Sequence, residues 1–223
     1  MKYLLFFLFL PVLLYAAPVT LQNATATLSQ PSYTIDKSID GVIDAYGWAI
    51  NAINTNQAAV WETVSNVNAS TIQFTMHQMH PYHLIGRFLF SVTSDARSTF
   101  ADGLINNGDV SATWSALINP TITVPSGMGY TILADKSILI SGTVPTTGVY
   151  YVEYSLPIAN ITGIRLDVLT DPSLPYNGPG MPSNGNIVLS ELVVDANGTF
   201  AVPEPASFLL LAFFIIFRYL YKK

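Results

Sequence analysis

Over most of the chain, short runs with an apolar residue at every second position alternate with polar turns. A period of two sets one side chain of a strand on a core and the next in water. Ile72, Phe74 and Met76 form one such run, Phe88, Phe90 and Val92 a second, and Tyr150, Val152, Tyr154 and Leu156 a third. In a fourth, Ile164, Leu166 and Val168 alternate with Arg165 and Asp167. The dipeptides Asp102-Gly103, Asn107-Gly108, Ser126-Gly127 and Asn184-Gly185 punctuate the runs as turns. The pattern predicts an all-β body arranged as a β-sandwich. It also predicts one short helix over 111–118, where Trp114, Leu117 and Ile118 share a face ahead of Asn119-Pro120.

Both ends break the period. Lys2 precedes an apolar run over 3–14 and the small pair Ala16-Ala17, the three-part layout of a secretory leader. Residues 1–17 are therefore expected to direct export; Tyr15 and Pro18 leave open whether the cut follows Ala16 or Ala17. Near the other end stands Val202-Pro203-Glu204-Pro205. Each proline lacks an N–H and fixes its own φ, so neither a helix nor a central strand continues through the motif. An apolar run from Phe208 to Phe217 follows, then Arg218 and the terminal pair Lys222-Lys223. At about −0.3 to −0.6 kcal/mol per apolar residue, the run favours membrane insertion by roughly 3–6 kcal/mol. Arg218 sits where it can snorkel. As a helix, 206–221 would span about 24 Å, somewhat less than a hydrocarbon core of about 30 Å. Basic residues at this terminus place it on the cytoplasmic side and the body outside. The expected organisation is a leader over 1–17, a β-sandwich over 18–200 and a C-terminal segment with a hydrophobic helix over 201–223.

Composition changes the picture once the ends are set aside, because they raise the mean hydropathy of +0.40. Acids outnumber bases 14 to 9, and Lys2, Arg218, Lys222 and Lys223 all belong to the ends. A body with no basic stripe has nothing to hold phosphates, which excludes nucleic acid as a partner. The absence of cysteine excludes disulfides, thiolate metal sites and cysteine nucleophiles. Asn-x-Ser/Thr sequons occur at Asn23, Asn68, Asn160 and Asn197, as an Asn- and Thr-rich surface produces by chance.

Candidate chemistry is sparse. His77, His80 and His83 suggest zinc by residue type, but on a continuing strand His80 faces away from the other two, and Pro81 marks a loop. Trp48 and Trp61 are candidates to stack on sugar rings, with burial in the core as the competing expectation. Arg87 and Arg97 either bind a polar ligand or pair structurally with a nearby carboxylate such as Asp95. There is no Gly-x-Ser-x-Gly elbow, His-Glu-x-x-His helix, phosphate loop or dinucleotide fingerprint, which points away from an enzyme. Paired carboxylates for glycoside hydrolysis need not be close in the chain, so a polysaccharide hydrolase stays open on that ground alone.

Two resemblances add to this reading. The Val202-Pro203-Glu204-Pro205 motif, the apolar run and the basic terminus with Arg218 resemble, in that order, the PEP-CTERM sorting signal of Gram-negative bacteria that make exopolysaccharide. The resemblance implies an exosortase, a membrane transpeptidase-like cysteine enzyme, as partner and the cell surface or extracellular matrix as destination. Many members carry a glycine within the apolar run, and this chain has none.

The body carries the second. Ile39-Asp40-Gly41 with Gly47-Trp48-Ala49-Ile50 and Ala59-Val60-Trp61, then His83-Leu84-Ile85-Gly86-Arg87-Phe88 running on to Arg97, form the first two stretches that carry it. The third is Ile161-Thr162-Gly163-Ile164-Arg165-Leu166 with Asp171-Pro172, Gly178-Pro179-Gly180 and Asn184-Gly185-Asn186-Ile187-Val188-Leu189-Ser190-Glu191. Together they resemble a module of PEP-CTERM surface proteins and of large planctomycete cytochrome-type proteins, related to discoidin-like and galactose-binding-like jelly rolls. Met181 stands where many members have arginine and Ile187 where many have phenylalanine, and 100–130 matches least. The resemblance implies a structural calcium held by Asp40 and Glu191, completed by carbonyls such as those of Lys37, Val42 and Ser190. The competing reading has Asp40 capping its own turn and Glu191 on a solvent face. The implied function is a non-catalytic module binding exopolysaccharide or another glycan; the alternative is a purely structural matrix or surface component.

Overall fold

A computed structural model describes residues 17–51 and 53–197. The leader ahead of Ala17, the Val202–Pro205 motif, Arg218 and the expected C-terminal helix lie outside the described residues. Among the described residues no helix is long and apolar enough to cross a membrane. Strands follow in the order β1 (Ala17–Pro18), β2 (Leu21–Ala26), β3 (Trp48–Ala49), β4 (Gln57–Gln78), β5 (Arg87–Thr93), β6 (Ser115–Ala116), β7 (Thr121–Thr123), β8 (Met128–Ile132), β9 (Ile138–Gly142), β10 (Gly148–Val168), β11 (Val188–Leu189) and β12 (Glu191–Asn197). Short 3-10 turns occupy Ile35–Ser38, Arg97–Thr99 and Pro175–Asn177.

The scaffold is the antiparallel pairing of β4 with β10, which runs from Gln57 opposite Val168 to Gln78 opposite Gly148. Strands of 22 and 21 residues would each extend about 70 Å if straight, at ~3.3 Å per residue, far beyond the width of one core. They do not stay in register. The ladder slips between Ser155 and Ile158, between Ile158 and Ile161, and between Ile161 and Gly163. Pro157 supplies a cause, because it has no N–H to give the ladder, and Asn160 takes a left-handed φ of 56°. Asn68 Oδ1 accepts the Asn160 N–H at 2.9 Å and holds the bend.

Each long strand therefore serves two layers of one curled sheet. In the first layer β1, β12, the end of β4, the start of β10 and β7 lie side by side; in the second, β2, the start of β4, the end of β10, β5, β9 and β8 do so. β6 adds to β5. The layers face each other: the Phe74 ring on β4 stacks on Phe90 of β5 at 4.0 Å between centroids and an interplanar angle of 8°, although β10 separates the two strands in the sheet. Phe88 meets Tyr150 in the same way at 6.3 Å. The alternating residues Ile72, Phe74, Met76, Phe88, Phe90, Val92, Tyr150, Val152, Tyr154, Ile164, Leu166 and Val168 are all buried between the layers, as their period requires.

The helix expected over 111–118 is absent, and Ser115–Ala116 instead pairs with Val92 and Ser91. The residues assigned to one helical face are drawn to different surfaces. Trp114 packs edge-on against Phe100 at 5.5 Å outside the second layer, whereas Leu117 is buried in the main core and Ile118 is exposed. Trp114, Phe100, Ala101, Val110 and Ala112 cover Val60, so the second layer is apolar on both faces. Gly163 makes room for this cover, since a Cβ there would lie 2.4 Å from the Phe100 ring.

Truncating Phe74 removes the ring stacked across the two layers. Phe74→Ala is expected to lower stability by about 3–5 kcal/mol. Urea unfolding followed by tryptophan fluorescence reads the effect, and a loss below about 1 kcal/mol would mean that the stacked pair does not hold the layers together.

Candidate functional site

The second, smaller sheet builds the floor of a cleft. In β3 and β11, Trp48 lies opposite Leu189 and Ala49 opposite Val188. Trp48 is fully buried, with its indole N–H donating to the Leu28 carbonyl at 2.9 Å, and so anchors the ribbon to the core. Gly47 permits the close approach, because a Cβ there would meet the Leu189 carbonyl oxygen at 2.2 Å. Above the ribbon a cleft of about 180 Å³ is lined by Gln30, Tyr33, Ala49, Asn51, His80, His83, Asn184, Asn186 and Val188. None of these is Asp, Glu, Lys or Arg.

Its wall is aromatic. Tyr33 lies 5.4 Å from Tyr46 and 5.7 Å edge-on from His80, and His80 in turn meets His83 edge-on at 4.5 Å. The imidazoles are fixed by the backbone: Nδ1 of His80 lies 2.9 Å from the Ala45 carbonyl oxygen, and Nδ1 of His83 lies 2.7 Å from that of Pro81. A carbonyl oxygen only accepts, so each neutral ring carries its proton on Nδ1 and keeps Nε2 as an acceptor.

The floor is set by amides. Asn186 Oδ1 accepts the Ile50 and Ile187 N–H groups at 3.2 and 2.9 Å, while its Nδ2 donates to Gln30 Oε1 at 3.0 Å. With that oxygen engaged, Gln30 is left with its Nε2 hydrogens as donors. Asn184 Oδ1 accepts the Asn186 N–H at 3.1 Å, and its own Nδ2 remains a donor as well. Amide donors, imidazoles and a tyrosine ring thus share one depression without Asp, Glu, Lys or Arg.

The histidines expected as a group separate into a pair and one apart. His80 and His83 line the cleft, whereas His77 sits on β4 opposite Glu191, where burial holds its pKa below the usual imidazole value. Among the described residues, no three His, Cys, Asp or Glu side chains come together to hold a metal ion. Neither Trp48 nor Trp61 reaches solvent. Trp61, like Trp48, is fully buried and donates its indole N–H to Ser38 Oγ at 3.2 Å, so sugar stacking by either is ruled out by burial. Arg87 pairs with Asp135 and Asp171, not with Asp95, and also donates to the Thr170 carbonyl and to Ser137 Oγ. Arg97 donates to the Thr63 carbonyl at 2.6 Å. Met181, in place of arginine, is buried with its sulfur 3.9 Å from Tyr150 Oη.

Asp40 and Glu191 do come together, at a separate, shallower cleft of about 300 Å³. Asp40 is exposed and its Oδ1 accepts the Val42 N–H at 2.9 Å, as a turn cap does. Glu191 is 7% exposed, which removes the solvent-face reading, and its Oε2 accepts the Gly41 N–H at 3.3 Å. Burial, with the Asp40 charge adding to it and the Gly41 N–H opposing, pushes the Glu191 carboxyl up to about 7. Lys37, Val42 and Ser190 do not line this cleft. Ser190 is fully buried, its Oγ accepting the Met79 N–H at 3.0 Å, and the Lys37 ammonium lies 5.6 Å from the centre of the Tyr46 ring.

Gln30, Tyr33, Asn184 and Asn186 are absent from the sequence-based candidates. The only local signal among them is the Asn184-Gly185 turn, since the cleft is assembled from segments up to about 150 residues apart, as Gln30 and Asn186 show.

No family model matches the chain, and no curated protein matches it. Among solved structures, it is similar to the family 32 carbohydrate-binding module of NanJ from Clostridium perfringens, in complex with galactose, with 13% identity, 81% of this chain and 99% of that chain covered, and a TM-score of 0.48. A second is CpGH89CBM32-5 from Clostridium perfringens, in complex with GalNAc-β-1,3-galactose, with 12% identity over 80% of this chain and 99% of that one and a TM-score of 0.47. A third is in the structure of reduced XRCC1 bound to the DNA polymerase β catalytic domain, with 9% identity over 82% of this chain and 99% of that one and a TM-score of 0.43.

Proposed function

We propose that the protein is an exported, non-catalytic domain that binds a neutral glycan in the cleft between Tyr33, His83 and Asn184. The observation that carries this reading is the cleft's chemistry: imidazoles held as Nε2 acceptors, amide hydrogens as donors and stacked rings, with no Asp, Glu, Lys or Arg in the lining. A sugar ring offers hydroxyls that both donate and accept, together with apolar C–H faces that suit an aromatic wall. At about 180 Å³ the cleft is smaller than the pockets of several hundred Å³ that enclose drug-sized ligands, which favours one ring at a chain end over an enclosed polymer segment. The leader and the PEP-CTERM-like tail fit the same reading: an exosortase would deliver the domain to the surface or matrix of a Gram-negative cell, where exopolysaccharide is at hand.

In the ordinary form of this function, Asp40 and Glu191 also hold a structural calcium. Support comes from the two neighbouring carboxylates, one of them buried with its pKa raised, which gain from a divalent counter-charge. Calcium takes six to eight oxygens, so carbonyls or water complete the shell.

A glycan array probed with the body over 17–197 is expected to show binding to neutral hexose-terminated glycans. Tyr33→Ala and His83→Ala should each weaken that binding about tenfold, or about 1.4 kcal/mol. Binding to no sugar at all would leave the spacer role, and turnover of a polymer would make the protein a hydrolase.

Stability against pH tests the carboxylate pair. Without an ion, a carboxyl whose folded pKa lies above its unfolded value binds more protons in the folded state, so stability falls as pH rises from about 4.5 to about 7. The loss is on the order of 2 kcal/mol, and Glu191→Gln should abolish it. Millimolar calcium at pH 8 should raise the melting temperature of the parent protein and leave Glu191→Gln unchanged; a parent Tm indifferent to both calcium and chelator would dismiss the ion.

A further inference from the structure

The two limits of the described residues lie at the same end of the sandwich. Ala17 lies opposite Ala196 and Pro18 opposite Asp195 in the ladder, and Asn197, the last residue of β12, lies opposite Thr71. Beyond Thr71 the long strands bend from one layer into the other over 64–70 and 155–162. The cleft occupies the opposite end: β12 begins at Glu191 opposite His77, next to the segment that carries His80 and His83. Seven residues of β12, at ~3.3 Å each, set these ends roughly 20 Å apart before the flanking loops are counted.

The bent end is also free of charge. No Asp, Glu, Lys or Arg occurs from Thr63 to Met76 or from Ser155 to Thr162, in a chain whose net charge is −5. Val64 is 51% exposed there, with Asn66, Asn68 and Pro157 exposed around it. The charged residues that border it are withdrawn or set back along the strands. Glu62 is buried and accepts from the Gln22 and Asn23 amides, Arg97 is turned onto Thr63, Asp95, whose carbonyl accepts from Thr162, directs its carboxylate to the Thr113 N–H, and Glu153 and Asp195 both stand opposite Gln73. Such a surface meets an anionic bilayer without the repulsion that the rest of an acidic body would feel. Ten residues, 198–207, connect Asn197 to the apolar run that starts at Phe208. Even fully extended they reach at most about 35 Å, less if the prolines bend them.

We infer that the bent end of the sandwich is the face held toward a lipid bilayer, and that the cleft is thereby presented outward. The inference rests on the reading of 208–217 as a membrane segment. The absence of cysteine makes a direct test available, because a single introduced thiol is labelled uniquely. Asn66→Cys and Ser183→Cys in the leaderless chain over 18–223, each carrying a donor dye, are reconstituted into phosphatidylethanolamine–phosphatidylglycerol vesicles containing a headgroup-labelled acceptor lipid. The protein should float with the vesicles, and energy transfer from Asn66→Cys should exceed that from Ser183→Cys at least threefold. Flotation with equal transfer, or with more from Ser183→Cys, overturns the orientation while leaving the anchor in place. Failure to float removes the anchor, and the orientation falls with it; glycan binding by the cleft is unaffected by either result.

Discussion

Everything in this molecule depends on two strands that are too long for the core they cover. The pairing of Gln57–Gln78 with Gly148–Val168 is continuous enough to join the layers and interrupted enough to let them close on each other. A regular ladder of that length would make a ribbon; the interruption at Pro157 turns it into a sandwich. From that bend follow the stacking of Phe74 on Phe90, the placement of Ala17 and Asn197 at one end of the sandwich, and the position of the loops at the far end that assemble the cleft.

The layers were legible in the sequence because burial on one face imposes a period of two, and each apolar run that shows it is buried between them. Length was not legible. The runs Tyr150–Leu156 and Ile164–Val168 read as separate elements, yet both belong to β10, since the stretch between them remains paired through the bend. The expected helix over 111–118 failed for a related reason. Helical spacing puts Trp114 and Leu117 on one side, but the outer face of the second layer and the core each claim one of them. Periodicity records that residues are buried, not which surface buries them.

The functional ends divide in the same way. Asp40 and Glu191 are 151 positions apart in the chain, and the Gly41 N–H that joins their segments is a contact that spacing alone does not encode. The aromatic candidates by size, Trp48 and Trp61, are core residues, and the exposed ring wall comes from Tyr33 and Tyr46 on loops without periodic pattern. Asn186 is the clearest case. Its one side chain satisfies two backbone N–H groups and orients Gln30, so the floor of the cleft is also part of what holds β3 and β11 to the body.

The antiparallel course of β12 beside β4 has a mechanical side. A domain attached through the end of β12 and holding something at its start is loaded along the strand, while the ladder bonds lie across it. A load along the strand would shear all the pairs from Glu191–His77 to Asn197–Thr71 together and would not peel them one at a time.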